Sequence, residues 1–272
     1  MKILFIGGGN MARAIIGGLI AKNYSPTSFL AIEPAENPRK NLQAAFGIAV
    51  APSITADAAK DNWDAIVLAV KPQAMKEAIA PLAGKLSQAL VVSIAAGIRI
   101  GDLSRWLGNY PYIVRTMPNT PALIHAGVTG LCAAAGVPES GRALAQRLLS
   151  AVGRTLWLDD EVMLDAVTAV SGSGPAYVFY FIEALEQAAR EMGLRADAAS
   201  TFARETFRGA AQLAATSVET PDVLRAQVTS KGGTTARAIE SFDAQQLKTQ
   251  FIEGVKAAWM RSRELGEELG QD

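Results

Sequence analysis

The sequence predicts an α/β protein, with an N-terminal Rossmann-type doubly wound sheet followed by an all-α C-terminal domain. In the first half, short apolar runs alternate with helix-length amphipathic segments, the pattern of a parallel sheet covered by helices. After Asp160 the strand pattern stops, and nearly all the remaining residues fit helices. The chain has 272 residues, 50% of them hydrophobic, which is near the length at which one core divides into two. We therefore predict two domains, 1–158 and 159–272.

Seven strands are predicted in the first domain. Five are mostly unbroken apolar runs, as expected for strands that are buried on both faces, and two weaker candidates flank a helix and could complete the sheet. The seven ranges are Lys2–Ile6, Phe29–Ile32, Ala65–Val70, Leu90–Ile94, Tyr112–Arg115, Val128–Ala133 and Arg154–Leu158. Helices are expected between them at Met11–Lys22, Pro38–Ala45, Gln73–Leu86 and Glu139–Val152.

The second domain is predicted to consist of helices alone. Gly193 can close the first of them, and Pro221 suits the first turn of another. The expected ranges are Val162–Met192, Ala196–Thr216, Pro221–Gln227 and Ala244–Leu269.

Composition excludes several classes of protein. The 26 basic and 26 acidic residues give a formal net charge of +0, so no broad positive field is available to hold a nucleic acid. No window approaches the roughly 18 uninterrupted apolar residues of a membrane span, and the apolar run Ile3–Ile6 is too short for a signal peptide. The single cysteine, Cys132, rules out an internal disulfide framework. We expect a cytoplasmic protein with neither nucleic-acid nor membrane partners.

A glycine pattern follows the first predicted strand. Gly7-x-Gly9-x-x-Ala12, with Asn10 and Met11 inside it, opens the first helix. At this spacing the first glycine permits a tight turn, the second lets a pyrophosphate approach the backbone, and the alanine keeps helix and strand close. The pattern predicts a dinucleotide site at the helix start. The alternative is a tight strand-to-helix turn without a ligand.

The end of the second strand bears on which dinucleotide is used. Glu33 stands where a carboxylate would bind the ribose hydroxyls of NAD. Arg39 and Lys40 follow, and their cationic groups would suit the 2′-phosphate of NADP, although they could simply be a solvated first helical turn. We favour NADP(H) and leave NAD(H) open.

Three more turns are expected to face the cofactor. Ligands of open α/β sheets bind at the carboxyl ends of the strands, where Ala69–Pro72, Ser93–Gly97 and Met117–Pro121 lie. The predicted cofactor-lining residues in these turns are Ala69, Lys71, Pro72, Ala96, Met117, Pro118 and Asn119.

Two stretches of the helical half are unusual. Ser171–Tyr177 places glycines and a proline within or at the start of a long apolar helix, although each glycine there costs roughly 1 kcal/mol. Val228–Ala236 joins two helices through hydroxyls, paired glycines and a lysine. Successive N–H groups at such a helix start suit a carboxylate. A capped helix start without a ligand is the alternative.

Together these motifs resemble the delta-1-pyrroline-5-carboxylate reductase family. The resemblance runs over essentially the whole chain and is most specific in Ser171–Tyr177 and Thr229–Thr235. It implies reduction of L-1-pyrroline-5-carboxylate to L-proline by hydride from NADPH or NADH, the last step of proline biosynthesis. It also implies a dinucleotide-binding domain over 1–158 and a helical substrate-binding and dimerisation domain over 159–272, assembled as a homodimer or an oligomer of dimers.

The resemblance also implies residue roles. Ser230, Gly232, Gly233 and Thr234 would hold the substrate carboxylate, and Thr235, the implied catalytic residue, would hydrogen-bond the ring nitrogen. This chain has Lys231 where the family often has proline. A cation beside a bound carboxylate would favour binding.

The chemistry requires no conventional acid–base dyad. A protonated imine is already an electrophile, and hydride addition discharges its nitrogen. His125 and Cys132 are accordingly interpreted as a loop residue and a core residue, and no metal site is expected because no ligand cluster has suitable spacing. Two alternatives remain: another imine or keto-acid reductase, for which Lys231 would be the proton donor, and a dinucleotide-sensing interaction protein without turnover.

Overall fold

The computed structural model describes residues 1–270. The chain forms two compact units. The first contains residues 1–173 together with the C-terminal segment from Ala258, and the second is Gly174–Ala257. The second unit is helical throughout its elements, and the first carries the sheet, so the predicted fold class is confirmed.

The sheet of the first unit has eight strands in the order β3-β2-β1-β4-β5-β6-β7-β8. Neighbouring strands are parallel except β6 and β7, which are antiparallel. The strands are β1 (Ile3–Ile6), β2 (Phe29–Ile32), β3 (Ala49–Ala51), β4 (Ala65–Leu68), β5 (Leu90–Ser93), β6 (Ile113–Met117), β7 (Gly127–Ala133) and β8 (Gly153–Trp157). All seven predicted strands are present, with ends that differ by a few residues, and β3 was not predicted.

Helices cover both faces of the sheet. They are α1 (Asn10–Ala21), α2 (Glu36–Phe46), α3 (Ala56–Lys60), α4 (Met75–Ile79), α5 (Ile100–Trp106), α6 (Glu139–Leu149) and α7 (Met163–Val167). Because successive strand residues point to opposite faces, Ile3 and Phe5 of β1 enter one core cluster and Leu4 and Ile6 enter the other. Every residue of β1, β4 and β5 is buried.

The structure corrects two predicted helices of this unit. Gln73–Leu86 is not one helix, because 3₁₀ turns at Pro72–Ala74 and Ala80–Leu82 flank the five residues of α4. Pro81 lacks the N–H that a continuing helix would need. Val162–Met192 is likewise not continuous: α7 leads into a π-helical turn at Thr168–Gly172, and a separate helix follows.

The second unit contains α8 (Gly174–Glu191), α9 (Ala196–Thr216), α10 (Pro221–Gln227), α11 (Thr234–Ala244) and the first part of α12 (Leu247–Leu269). The predicted helix Ala244–Leu269 begins later than expected because Gln246 adopts a left-handed conformation, φ 54°, that ends α11 before α12 starts. Inside the unit, the ring of Phe251 packs on Tyr177 and Phe181 at centroid distances of 5.8 and 5.6 Å.

The first compact unit extends beyond the predicted boundary at residue 158. The cause is a buried charge cluster on β6, where Arg115 contacts carboxylates of the segment before and within α7. Asp165 of α7 in turn accepts a hydrogen bond of 2.8 Å from the hydroxyl of Ser262 in α12. These contacts hold α7 and the C-terminal end of α12 on the sheet. The functional division at 158 stays a prediction.

No helix within residues 1–270 combines the length and the apolar character needed to cross a bilayer.

Candidate functional site

The glycine turn lies at the carboxyl end of β1, where the backbone leaves little room. Gly7 has φ +103°, and a β-carbon there would lie 2.7 Å from the carbonyl carbon of Ala69. Only glycine fits such a position. Gly9, which precedes α1, has an ordinary φ of −68° and open space where its β-carbon would be. Ala12 is fully buried beside the sheet. The turn therefore brings its backbone against the Ala69 turn and leaves the side of Gly9 open.

The carboxylate of Glu33 contacts this turn directly. One oxygen accepts a hydrogen bond from the N–H of Gly8 at 2.9 Å, and the other accepts one from Ala35 at 3.0 Å. The carboxylate therefore ties the end of β2 to the glycine turn. The sequence suggested a ribose contact for Glu33, and it gave no signal for the bond to Gly8, which joins residues 25 positions apart.

The two predicted cations near β2 lie in different environments. Nη1 of Arg39 donates to the backbone carbonyls of Glu33 and Pro34, both at 2.8 Å, so this guanidinium is held at the carboxyl end of β2. Lys40 forms an exposed ion pair of 2.6 Å with Glu36, one helical turn away. Of the two, Arg39 is the one fixed at the sheet edge.

The other predicted cofactor turns follow neighbouring strands. Because β1, β4, β5 and β6 are adjacent and parallel, their carboxyl ends meet at one edge of the sheet. This edge carries the glycine turn and the residues predicted from the other three turns, Ala69, Lys71, Pro72, Ala96, Met117, Pro118 and Asn119. The sequence-predicted residues of the first domain are thus brought together by topology.

Asn119 makes two side-chain hydrogen bonds within the protein. Its Oδ1 accepts from the N–H of Val128 at 3.0 Å, and its Nδ2 donates to the hydroxyl of Ser171 at 3.2 Å. Beside it, a β-carbon on Gly172 would overlap the terminal methyl of Met117. The Ser171–Gly172 end of the unusual glycine-rich segment therefore lies against the turn after β6, a contact that sequence reasoning did not predict.

Next to this turn, Arg115 is a buried charge within the sheet. It is 2% exposed, and its Nη1 donates to a Glu161 carboxylate oxygen at 2.9 Å. Its Nη2 lies 3.9 Å from Asp165. Nε of Arg115 is buried without a hydrogen-bond partner.

Neither Cys132 nor His125 has the setting of a catalytic group. Cys132 pairs with Arg115 in the register of β6 and β7. Burial raises the pKa of its thiol, and the nearby Glu161 and Asp160 carboxylates raise it further. The thiol therefore stays protonated at neutral pH, as a core residue would. His125 is exposed, with φ 58°, at the end of a 3₁₀ turn.

Across residues 1–270, no group of three His, Cys, Asp or Glu side chains is close enough together to hold a metal ion.

In the second unit, the segment Thr229–Thr235 comprises most of the turn between α10 and α11 and the first two residues of α11. Gly232 has φ +72°, and the N–H of Gly233 donates to the carbonyl of Ser230 at 3.0 Å. Gly233 precedes α11, whose first turn has no side-chain cap and no acidic residue. The first N–H groups of a helix have no partner within it, so this end offers donors to an anion. Lys231 in the same turn is exposed.

Comparison with known proteins places these features in context. A family model described as "Pyrroline-5-carboxylate reductase dimerisation" matches residues 161–265, and one described as "NADP oxidoreductase coenzyme F420-dependent" matches residues 2–97. A pyrroline-5-carboxylate reductase of Pseudomonas aeruginosa is 47% identical over 271 residues, covering 99% of this chain and 98% of the relative. One of Arabidopsis thaliana is 37% identical, covering 98% and 96%.

Solved structures of pyrroline carboxylate reductases are also similar to this chain over nearly its whole length. The structure of a pyrroline-5-carboxylate reductase from Coxiella burnetii has a TM-score of 0.89 and 37% identity, covering 97% of this chain and 98% of its own. That of a Plasmodium falciparum pyrroline carboxylate reductase with NADP bound has a TM-score of 0.86 and 28% identity, covering 98% of each chain.

The two glycines of the turn are expected to respond differently to alanine. Gly7→Ala should destabilise the fold by about 1–3 kcal/mol, because the residue is strained and meets the Ala69 carbonyl. Gly9→Ala should leave unfolding unchanged and weaken NADPH binding about tenfold or more, because the new methyl occupies the open side of the turn. Thermal unfolding and a fluorescence titration with NADPH measure the two effects. Gly101→Ala, also at an open position, is the control. Unchanged NADPH affinity in Gly9→Ala would contradict the pyrophosphate site.

Proposed function

The chain belongs to the pyrroline-5-carboxylate reductase family, and from this membership we propose that it reduces L-1-pyrroline-5-carboxylate to L-proline, the last step of proline biosynthesis. The observation that carries the proposal is the 47% identity to a curated pyrroline-5-carboxylate reductase over 99% of the chain. When bound, a nicotinamide cofactor, NADPH or NADH, would supply the hydride.

The reaction requires mainly that the protein orient the imine and the cofactor relative to each other. Hydride addition to the carbon of a protonated imine neutralises the ring nitrogen and creates no oxyanion, so no group must stabilise a new negative charge. Orienting two bound reactants can contribute roughly 7–11 kcal/mol. The neutral Cys132 thiol and the exposed His125 fit a mechanism without an acid–base dyad.

The substrate is held by the turn before α11 and by the first two residues of that helix. In this proposal, Ser230, Gly232, Gly233 and Thr234 bind the carboxylate, and the Thr235 hydroxyl hydrogen-bonds the ring nitrogen. Support comes from the uncapped start of α11 and from the absence of a carboxylate in its first turn, since an anion there is stabilised by the free N–H groups and the helix dipole. Lys231 adds a cation to the same turn.

The cofactor is held by the carboxyl edge of the sheet. The pyrophosphate lies on the turn formed by Gly7, Gly9, Asn10, Met11 and Ala12, and the rest of the cofactor contacts the turns after β4, β5 and β6. Arg39 is fixed by two backbone carbonyls at the end of β2. In this proposal, its guanidinium determines whether NADP or NAD is preferred. A guanidinium suits a 2′-phosphate, so we propose NADPH as the preferred cofactor. Glu33 holds the glycine turn in place. Each of its carboxylate oxygens has a further lone pair that could accept a hydrogen bond from a ribose hydroxyl.

The helical unit is the proposed dimerisation surface. Its α8 and α9 expose large apolar side chains, among them Phe179 at 60%, Phe202 at 63% and Leu213 at 56%. Apolar surface in such quantity is typical of protein interfaces. We propose a homodimer, or an oligomer of dimers, in the cytoplasm, whose reducing conditions suit the one free cysteine.

The activity is tested by NADPH oxidation with pyrroline-5-carboxylate. Wild-type protein should oxidise NADPH when the imine is added. Thr235→Ala should lower kcat/KM about 10- to 100-fold through loss of one hydrogen bond to a charged group. Thr216→Ala, the same substitution at the end of α9, is the control and should match wild type. Wild type without imine-dependent oxidation would contradict the proposal.

Lys231→Ala separates this reaction from keto-acid reduction in the same series. A keto acid needs a proton donor, so Lys231→Ala should leave much of kcat in place if the substrate is the imine and should abolish it if the substrate is a keto acid. Weaker binding of the carboxylate would raise the KM without abolishing kcat.

The cofactor preference is tested at Arg39. Arg39→Ala should raise the KM for NADPH about 10- to 100-fold and change the KM for NADH little, because only the 2′-phosphate loses a charged partner. NADH is an internal control, since a general loss of structure would affect both cofactors. Lys40→Ala, at the residue paired with Glu36, should have the smaller effect. An equal rise in the KM for both cofactors in Arg39→Ala would contradict the proposed phosphate contact.

The oligomeric state is tested by sedimentation. Wild type should have at least twice the chain mass of 28.6 kDa. Leu213→Glu, which places a charge on the exposed face of α9, should shift the equilibrium towards monomer. Leu156→Glu is the matched control, since Leu156 is 62% exposed but lies on β8 of the first unit. A wild-type mass of one chain would refute the dimer, and dissociation only by Leu156→Glu would place the interface elsewhere.

A further inference from the structure

One face of β6 and the turn after it contact the segment that follows β8 at three successive points. Arg115, in the strand, pairs with Glu161 and lies near Asp165. Met117, two residues later and therefore on the same face, reaches Gly172. Asn119, just past the strand, donates to Ser171. The segment is thus fixed along the strand up to the edge where the cofactor turns lie.

The point of contact at that edge is a π-helical turn. Thr168–Gly172 follows α7 directly, and the N–H of Ser173 donates to the carbonyl of Thr168, five residues earlier, at 2.8 Å. Such turns are rare because they insert an extra residue into the helix, and they occur frequently at functional sites. The inserted residue changes the face on which the following side chains emerge. The turn presents the hydroxyl of Ser171 and the bare α-carbon of Gly172 to the loop after β6.

The Ser171 hydroxyl completes the anchoring of Asn119. An asparagine amide offers one acceptor and two donor hydrogens. Here the acceptor is engaged by Val128 at the start of β7, and the nitrogen is engaged by Ser171. The amide therefore bridges β7 and the π-helical turn, and it fixes the backbone of Met117–Asn119 between them. Without the Ser171 oxygen, only the β7 side of that bridge remains.

We propose that the π-helical turn Thr168–Gly172 positions the cofactor-facing turn Met117–Asn119, and that Ser171 is a positioning residue acting through Asn119. The inference rests on the proposed placement of the dinucleotide at this edge and adds a role for a segment outside it. In this proposal, Ser171 acts by holding the side chain of Asn119, and the backbone of Met117–Asn119 would face the cofactor.

The test compares Ser171→Ala with Ser171→Thr in the full-length protein. Ser171→Ala should weaken NADPH binding, measured by fluorescence titration without imine, about three- to tenfold, the effect of one lost hydrogen bond. The KM for the imine and the melting temperature should stay near wild type. Ser171→Thr keeps the hydroxyl and should restore NADPH affinity. A packing defect cannot produce this pattern of affinities, because the larger threonine side chain would not repair it.

Ser150→Ala is the matched control. Ser150 is also partly buried, and its hydroxyl lies 3.3 Å from that of Thr155 in the same unit, so it bonds to Thr155 and not to Asn119. It should bind NADPH as wild type does. A second variant, Gly172→Ala, adds a methyl group against Met117 and should weaken NADPH binding in the same direction as Ser171→Ala.

Three results overturn the inference: wild-type NADPH affinity in Ser171→Ala, no recovery in Ser171→Thr, or an equal loss in Ser150→Ala. These results are distinct from failure of the proposed function. A wild type that binds NADPH without reducing the imine contradicts the proposed reaction and leaves the positioning role to be decided by the titrations alone. A wild type that reduces the imine, with Ser171→Ala binding NADPH normally, contradicts only the positioning role.

Discussion

The buried guanidinium of Arg115 is the interaction on which the arrangement of the first unit depends. A charge inside a sheet is costly unless nearby groups of opposite charge compensate it, and an unpaired one destabilises a fold by several kcal/mol. β6 supplies no carboxylate of its own. The compensating groups are Glu161 and Asp165, which lie beyond the last strand, and Asp165 also accepts from Ser262 near the end of α12. The chain after the sheet must therefore return to β6, which explains why the first unit includes the C-terminal segment from Ala258.

The same constraint extends to the cofactor edge. Once Asp165 fixes α7 on β6, the π-helical turn that follows α7 arrives at the end of that strand. Gly130 allows the close approach, since it lies opposite Met117 in the register and a β-carbon there would be 3.1 Å from side-chain atoms of Leu164 and Val167. An electrostatic requirement in the middle of a strand thus determines where Ser171 meets Asn119.

Much of the fold could be predicted from local pattern, and the contacts of the site could not. Apolar runs predicted five strands because buried parallel strands have a strong signal, and the two weaker candidates that flank α6 also proved to be strands. β3 was not predicted because it has only three residues, none of which is fully buried. The bonds of Glu33 to Gly8, Asn119 to Ser171 and Asp165 to Ser262 join residues 25, 52 and 97 positions apart. Such pairs depend on how distant segments pack, which local periodicity does not encode. The glycines of Ser171–Tyr177 were nevertheless recognised as unfavourable in a helix, and Gly172 has a reason in its contact with Met117.

The polar groups at the sheet edge fit the proposed reaction, which needs no acid–base dyad. Glu33 and Asn119 would be natural ligands of a cofactor, yet both bond to the protein, one to the glycine turn and the other to β7 and the π-helical turn. A reaction whose electrophile is already charged gains little from further proton donors and much from fixed geometry. Side chains that hold the backbone turns in place supply that geometry before any ligand arrives. The rigidity of these turns is therefore as much a part of the proposed active site as the groups that touch the substrate.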